Sequence, residues 1–186
     1  MLPGFVDSHG HAYMIGVQAT TANLLPPPDG PGQDIASLQR ILTAWAGNNR
    51  TAIERVGWII GFGYDDSQLA EQRHPTRDDL DAVSTDLPVV IIHQSGHLGV
   101  ANSRALALAG VDADTEDPEG GVYRRRAGSR ELNGVMEELA FFRVLGALAA
   151  NLDDQVNEVL AIEGTRLAAS FGYTTVQEGR AMQPAI

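Results

Sequence analysis

The chain has no cysteine. That excludes disulfides, thiolate nucleophiles and cysteine-ligated zinc. It has no lysine either, since all 13 basic residues are arginine. Schiff-base chemistry, a P-loop lysine and any lysine-derived metal ligand are therefore excluded within this sequence. No run is long and apolar enough to span a bilayer, so no membrane partner is expected. No basic stretch leads into an apolar one at the N-terminus, so the expected compartment is the cytoplasm. Positive charge is scarce: 24 acidic residues face the 13 arginines, for a formal net charge of -11. Nucleic acid is not an expected partner, because phosphate binding needs a basic stripe. The one basic cluster, Arg124-Arg125-Arg126, lies in a Gly-rich stretch and reads as a solvated turn. There is no G-x-S-x-G, no Ser/His/Asp arrangement and no phosphate loop.

What remains is a globular composition: 186 residues, 44% hydrophobic and 20% charged. Leu2 to Ser8 reads as a short buried strand. Ile35, Leu38, Ile41, Leu42 and Trp45 follow helical spacing. Thr76 is a candidate N-cap ahead of Asp78 and Asp79. PVVIIH (Pro88 to His93) is β-branched and continuous, as in a parallel strand buried on both faces. Asn102 to Ala109 reads as a short helix ended by Gly110, and Asp112 to Gly128 as a polar loop. Gly134 to Leu148 and Asp153 to Ala169 read as amphipathic helices, and GYTTVQ (Gly172 to Gln177) as a third strand. Strands followed by helices predict an α/β fold with parallel pairing.

The chemistry-bearing motif is His-Gly-His at residues 9 to 11, where an apolar strand ends. Residues i and i+2 of a strand share a side, their backbones about 6–7 Å apart. Two imidazoles so placed can bind one metal ion, with Asp7 and Ser8 available to orient the rings. Alone the motif is short enough to occur by chance; its place at a strand's carboxyl end, where α/β folds gather functional groups, strengthens it.

PGFVDSHGHA (Pro3 to Ala12) resembles the first-strand signature of the amidohydrolase superfamily, metal-dependent hydrolases on TIM barrels. Four further stretches resemble one branch of it, amidohydrolase family 3 or YtcJ-like enzymes, which include N-substituted formamide deformylases. They are GFGYDDSQLAEQRHPTRDDLDAV (Gly61 to Val83), PVVIIHQSGHLGVANSRALALAGV (Pro88 to Val111), GGVYRRRAGSRELNGVMEE (Gly120 to Glu138) and GYTTVQEG (Gly172 to Gly179), in the family's order.

The resemblance implies a metal-dependent hydrolase of non-peptide C–N bonds acting on a small amide-type substrate. It makes His9 and His11 ligands of a divalent metal, most often zinc. It matches His97 to a pocket histidine; the alternative is a histidine hydrogen-bonded near a helix start. Tyr64 and Asp65 match a stretch near the pocket mouth; the alternative is a turn held by an Asx hydrogen bond. Glu178 falls on the catalytic side of a barrel or in a solvated turn. His93 reads as a satisfied core histidine and His74 as a surface loop residue.

The sequence also departs from the family pattern. The later ligands, a carbamylated lysine, two further histidines and an aspartate, are not found, and nothing corresponds to the β-sandwich segment before the first strand. The expectation is therefore a partial TIM (β/α)8 barrel over residues 1–186, with N-terminal strands and helices only. No catalytic residue is assigned, and a two-ligand metal site is incomplete. The alternative is a non-catalytic fragment that self-associates or needs a complementary chain.

Overall fold

The stripe formed by Ile35, Leu38 and Leu42 is buried, as its helical spacing predicts. Its helix starts at a reciprocal cap: Asp34 accepts from the Ser37 backbone N–H at 2.6 Å, and the Asp34 N–H reaches the Ser37 hydroxyl at 3.0 Å. In this computed structural model, which describes residues 3–179, the elements follow in chain order. They are β1 (Phe5–Val6), α1 (Ala12–Thr20), β2 (Ala22–Asn23), α2 (Ile35–Asn48), α3 (Arg50–Val56), β3 (Ile59–Tyr64), α4 (Arg77–Asp81) and β4 (Val89–His93). Then come β5 (Leu98–Ala101), α5 (Ser103–Leu108), β6 (Gly121–Arg125), β7 (Leu132–Glu138), α6 (Leu139–Ala149), α7 (Asp154–Ser170) and β8 (Tyr173–Thr175). Leu2, at the start of the expected first strand, lies outside the described residues.

The elements fall into two compact units. One joins the described residues up to Thr21 with those from Leu152 onward; the other is Ala22–Asn151. In the first, β1 and β8 pair in parallel, with Phe5 opposite Tyr173 and Val6 opposite Thr175. Helices α1 and α7 pack at two glycines. A Cβ on Gly16 would strike the Leu160 carbonyl, and one on Gly164 the Ala12 carbonyl, so only glycine allows this approach. Tyr13 ties the pair further, its hydroxyl donating to Asn157 Oδ1 at 2.6 Å.

The second unit holds a six-stranded mixed sheet in the order β2-β3-β4-β5-β7-β6. The β2–β3 and β3–β4 pairings are parallel; β4–β5, β5–β7 and β7–β6 are antiparallel. Leu24, Leu38, Leu42, Ile59, Val89, Ile91, Val100 and Val135 share its core. Thr76 caps α4 as expected, in a box with Asp79.

Four sequence expectations change. PVVIIH does not share a sheet with the first and third expected strands: it is buried on both faces inside the mixed sheet, parallel to one neighbour and antiparallel to the other. The stretch expected to be one helix from Gly134 is strand β7 up to Glu138, and α6 starts only at Leu139. Within the expected loop from Asp112 to Gly128, β6 forms by pairing with β7. The arginine cluster is not a solvated turn. Arg124 pairs with Glu137, Arg125 with Asp117, and Arg126 with Asp78 and Glu131, so strand pairing and carboxylates fix its place. The fold is mixed α/β. Among the described residues no helix is long and apolar enough to cross a membrane.

Candidate functional site

In the first unit, β1 ends at Val6 and the chain turns. Asp7 drives the turn: its Oδ1 accepts the His9 N–H at 3.1 Å. A Cβ on Gly10 would displace the Asp7 carboxylate that makes this bond. His9 and His11 therefore sit in the turn after the strand rather than in it, with ring centroids 6.0 Å apart. His11 Nδ1 is buried without a hydrogen-bond partner, with Glu178 Oε1 at 3.6 Å. The other Glu178 oxygen accepts the Tyr13 N–H at the start of α1, at 2.7 Å. A cavity of about 280 Å³ opens beside the turn, lined by Asp7, His9, Gln18, Leu167 and Phe171 among others. An imidazole nitrogen that makes no hydrogen bond and a second imidazole on the same turn suit a divalent cation of borderline softness in kind. Asp7 and Glu178 add hard oxygens nearby.

In the second unit, Gly63 at φ +100° bulges the end of β3 and sets Tyr64 opposite His93. Tyr64 is fully buried and Asp65 only 6% exposed. Asp65 Oδ1 accepts from the Ser67 N–H and hydroxyl at 3.0 and 2.7 Å, which is the Asx turn weighed from sequence. Its Oδ2 accepts from Gln68 at 2.8 Å and Gln94 at 2.5 Å. Burial alone would raise the Asp65 pKa, but the hydrogen bonds from Gln68 and Ser67, with the charge of His93, hold it below the usual carboxylate value.

His93 Nε2 lies 3.4 Å from Asp66 Oδ1 and 3.8 Å from Asp65 Oδ1. The Ser95 N–H donates to His93 Nδ1 at 3.1 Å, so the neutral ring carries its proton on Nε2, facing the two carboxylates. His93 is thus a satisfied, half-buried histidine. His74 is not the surface loop residue expected: its side chain is 12% exposed, with Nδ1 3.4 Å from Asp66 Oδ1 and 3.2 Å from the Tyr64 hydroxyl. Burial pushes the His74 pKa down against the pull of Asp66, and pushes the Tyr64 hydroxyl up. Among the described residues, Asp65, Asp66 and His93 are the one group whose potential ligand atoms all lie within 4.8 Å of one another. They can hold a cation only if the His93 ring proton moves to Nδ1, which gives up the bond from the Ser95 N–H; otherwise Nε2–H faces the two carboxylates. Asp66 and His74 lie in the family-like stretch Gly61 to Val83, but nothing in its spacing shows that they meet His93; the fold brings them there.

His97 stands just before β5, and its ring meets Glu138, the residue at the start of α6. Its Nδ1 is 3.1 Å from Glu138 Oε2, and the two side chains are 61% and 51% exposed. The His97 carbonyl accepts the Glu138 N–H at 2.8 Å.

The amidohydrolase family model matches residues 1–185, and the chain belongs to that family. It is 32% identical over 140 residues to the N-substituted formamide deformylase of Arthrobacter pascens, covering 75% of this chain and 24% of that one. It is 31% identical over 160 residues to the putative amidohydrolase YtcJ of Bacillus subtilis, covering 86% of this chain and 28% of that one. In fold it is similar to an uncharacterized metal-dependent hydrolase from Pyrococcus horikoshii, with TM-score 0.62 at 22% identity, over 94% of this chain and 30% of that one. The chain thus spans roughly a quarter of the length of these two curated relatives.

Proposed function

We propose that this chain is the N-terminal part of a metal-dependent hydrolase of non-peptide C–N bonds in small amide-type substrates, with His9 and His11 as ligands of a divalent cation, zinc by preference. The observation that carries the reading is the His9-Gly10-His11 turn at the carboxyl end of β1, with His11 Nδ1 buried and making no hydrogen bond, on a chain of the amidohydrolase family. The cation, when bound, would supply an acidified water and a polarised carbonyl. Asp7 holds the turn, Gly10 lets it close, and Glu178 is placed to orient His11. The family resemblance assigns His97, Tyr64 and Asp65, all of the second unit, to substrate binding. A barrel origin for the first unit is supported by β1 and β8: parallel strands are normally buried on both faces, yet Phe5, Val6 and Tyr173 are exposed here. The same exposed apolar strands favour a second reading, in which the chain self-associates or pairs with a complementary chain.

Zinc titration of the purified chain by calorimetry, with its mass in solution measured alongside, tests the proposal. The expected result is about one zinc per chain, weakened at least tenfold in His9→Ala and in His11→Ala. Binding untouched by both variants but lost in Asp66→Asn would move the metal to the second unit and overturn the ligand assignment. No zinc binding combined with a dimer mass would favour the second reading.

A further inference from the structure

Glu138 occupies φ 49°, ψ -123°, one of two described non-glycine residues at positive φ. Side-chain-bearing residues avoid this region because Cβ crowds the backbone, whereas glycine enters it freely. The fold nonetheless imposes it here, because β7 runs into α6 with no residue between them. Gly121, opposite Glu138 across the ladder, makes room for the turn. A Cβ on Gly121 would strike the Ala140 N–H and lie 3.0 Å from both the Glu137 carbonyl and the Leu139 N–H.

Such a strand-to-helix elbow presents its central side chain outward. A glycine at 138 would make the same turn without strain, yet the sequence places a glutamate there. Its carboxylate meets His97 Nδ1 at 3.1 Å, with both side chains more than half exposed. An exposed ion pair of this kind adds little stability, so stability does not account for the strain. Backbone strain held at an exposed, chemistry-bearing side chain points to function.

We infer that Glu138 is a positioning residue that fixes His97 as its Nδ1–H tautomer. The Nδ1–H donates to Glu138, and the Nε2 lone pair is left outward as an acceptor for a substrate N–H, such as that of a secondary formamide. The substrate class rests on the proposed function; the tautomer does not, since it needs neither metal nor substrate.

The test is ¹⁵N–¹H correlation of the histidine rings in the metal-free chain at neutral pH, with urea denaturation of each variant. The expected result is Nδ1–H at His97 in the wild type and in Glu138→Gln, whose carbonyl also accepts. In Glu138→Gly the ring shifts to Nε2–H while the urea midpoint rises as strain is released. Titration with N-methylformamide should move the His97 Nε2 resonance saturably in the wild type and not in Glu138→Gly. Nε2–H in the wild type, or a lower midpoint in Glu138→Gly, overturns the positioning role. A correct tautomer with no response to N-methylformamide overturns the substrate class. Neither result bears on zinc at His9 and His11, which the calorimetry reads separately.

Discussion

Asn102 is fully buried, and its side chain makes four hydrogen bonds. Its Oδ1 accepts the Val89 N–H at 3.0 Å and the Ala105 N–H at 2.9 Å. Its Nδ2 donates to the carbonyls of Ser84 at 2.7 Å and Leu87 at 3.0 Å. One amide thus caps α5, starts β4 and closes the turn before it. Asn102→Ala would leave two buried N–H groups without acceptors, at about 1–3 kcal/mol each. The two carbonyls keep a second lone pair and add less. The expected loss is about 4 kcal/mol, a large share of the 5–15 kcal/mol that holds a typical domain. Both tryptophans, Trp45 and Trp58, lie in the Ala22–Asn151 unit, so urea unfolding followed by their fluorescence reports on that unit. With a slope near 2 kcal/mol per molar, the midpoint should fall by about 2 M. Asn102→Asp is the sharper probe. It preserves shape and one accepting oxygen but turns a second oxygen toward two carbonyls, so it should be no better tolerated than alanine at neutral pH. A midpoint within about 0.5 M of wild type for either variant would refute the reasoning.

Two further outcomes follow from packing and charge. Gly164→Ala places a methyl against the Ala12 carbonyl and 2.8 Å from the Gly16 nitrogen. It should loosen α1 from α7 by about 1–3 kcal/mol, seen as faster amide exchange in α7 with tryptophan fluorescence unchanged; unchanged exchange would contradict the close-approach argument. Burial depresses the His74 pKa, so the unfolded chain takes up this proton more readily than the folded one. Its contribution makes stability fall as pH drops below about 6.5, at up to about 1.4 kcal/mol per pH unit until the folded-state pKa is reached. His74→Gln should flatten that limb without touching the loss below about pH 4, where Asp65 and Asp79, with depressed pKa values, take up protons. Parallel profiles for the two proteins would rule His74 out as the cause.

Local signals in the sequence were those with a local cause. The stripe of α2, the Thr76 cap, the α5 helix and the start of α7 at Asp153 all follow from spacing and capping within a few residues. The His9-Gly10-His11 pair is visible as a motif; a turn, not a strand, presents it, with the ring centroids 6.0 Å apart. Long-range pairing was not legible. PVVIIH and GYTTVQ are both β-branched and short, and nothing in either says that one belongs to a mixed sheet and the other pairs with the first strand. Gly134 to Glu138 reads as helix when joined to the apolar run after it; pairing with β5 and β6 overrides that propensity. Likewise Asp66 and His74 join the cluster at His93 through the bulge at Gly63, and Glu138 meets His97 through a strand pair and an elbow.

The division of the chain gives these facts a common cause. The Ala22–Asn151 unit is continuous in sequence, so its sheet and core form without contributions from the flanking segments. The first unit is discontinuous: β1 must find β8, and α1 must find α7, across that whole intervening stretch. Closing an unstructured loop of that length costs about 4 kcal/mol, which a two-stranded sheet and one helix pair offset with little to spare. If the intervening unit is already folded, much of that entropy has been lost before β1 and β8 meet. Hence the side chains that depend on local order, Asp65 in its Asx turn and Asn102 in its cap, sit in the continuous unit. The His9-Gly10-His11 turn is closed locally by Asp7, but the carboxylate beside His11 comes from Glu178, at the far end of the discontinuous unit.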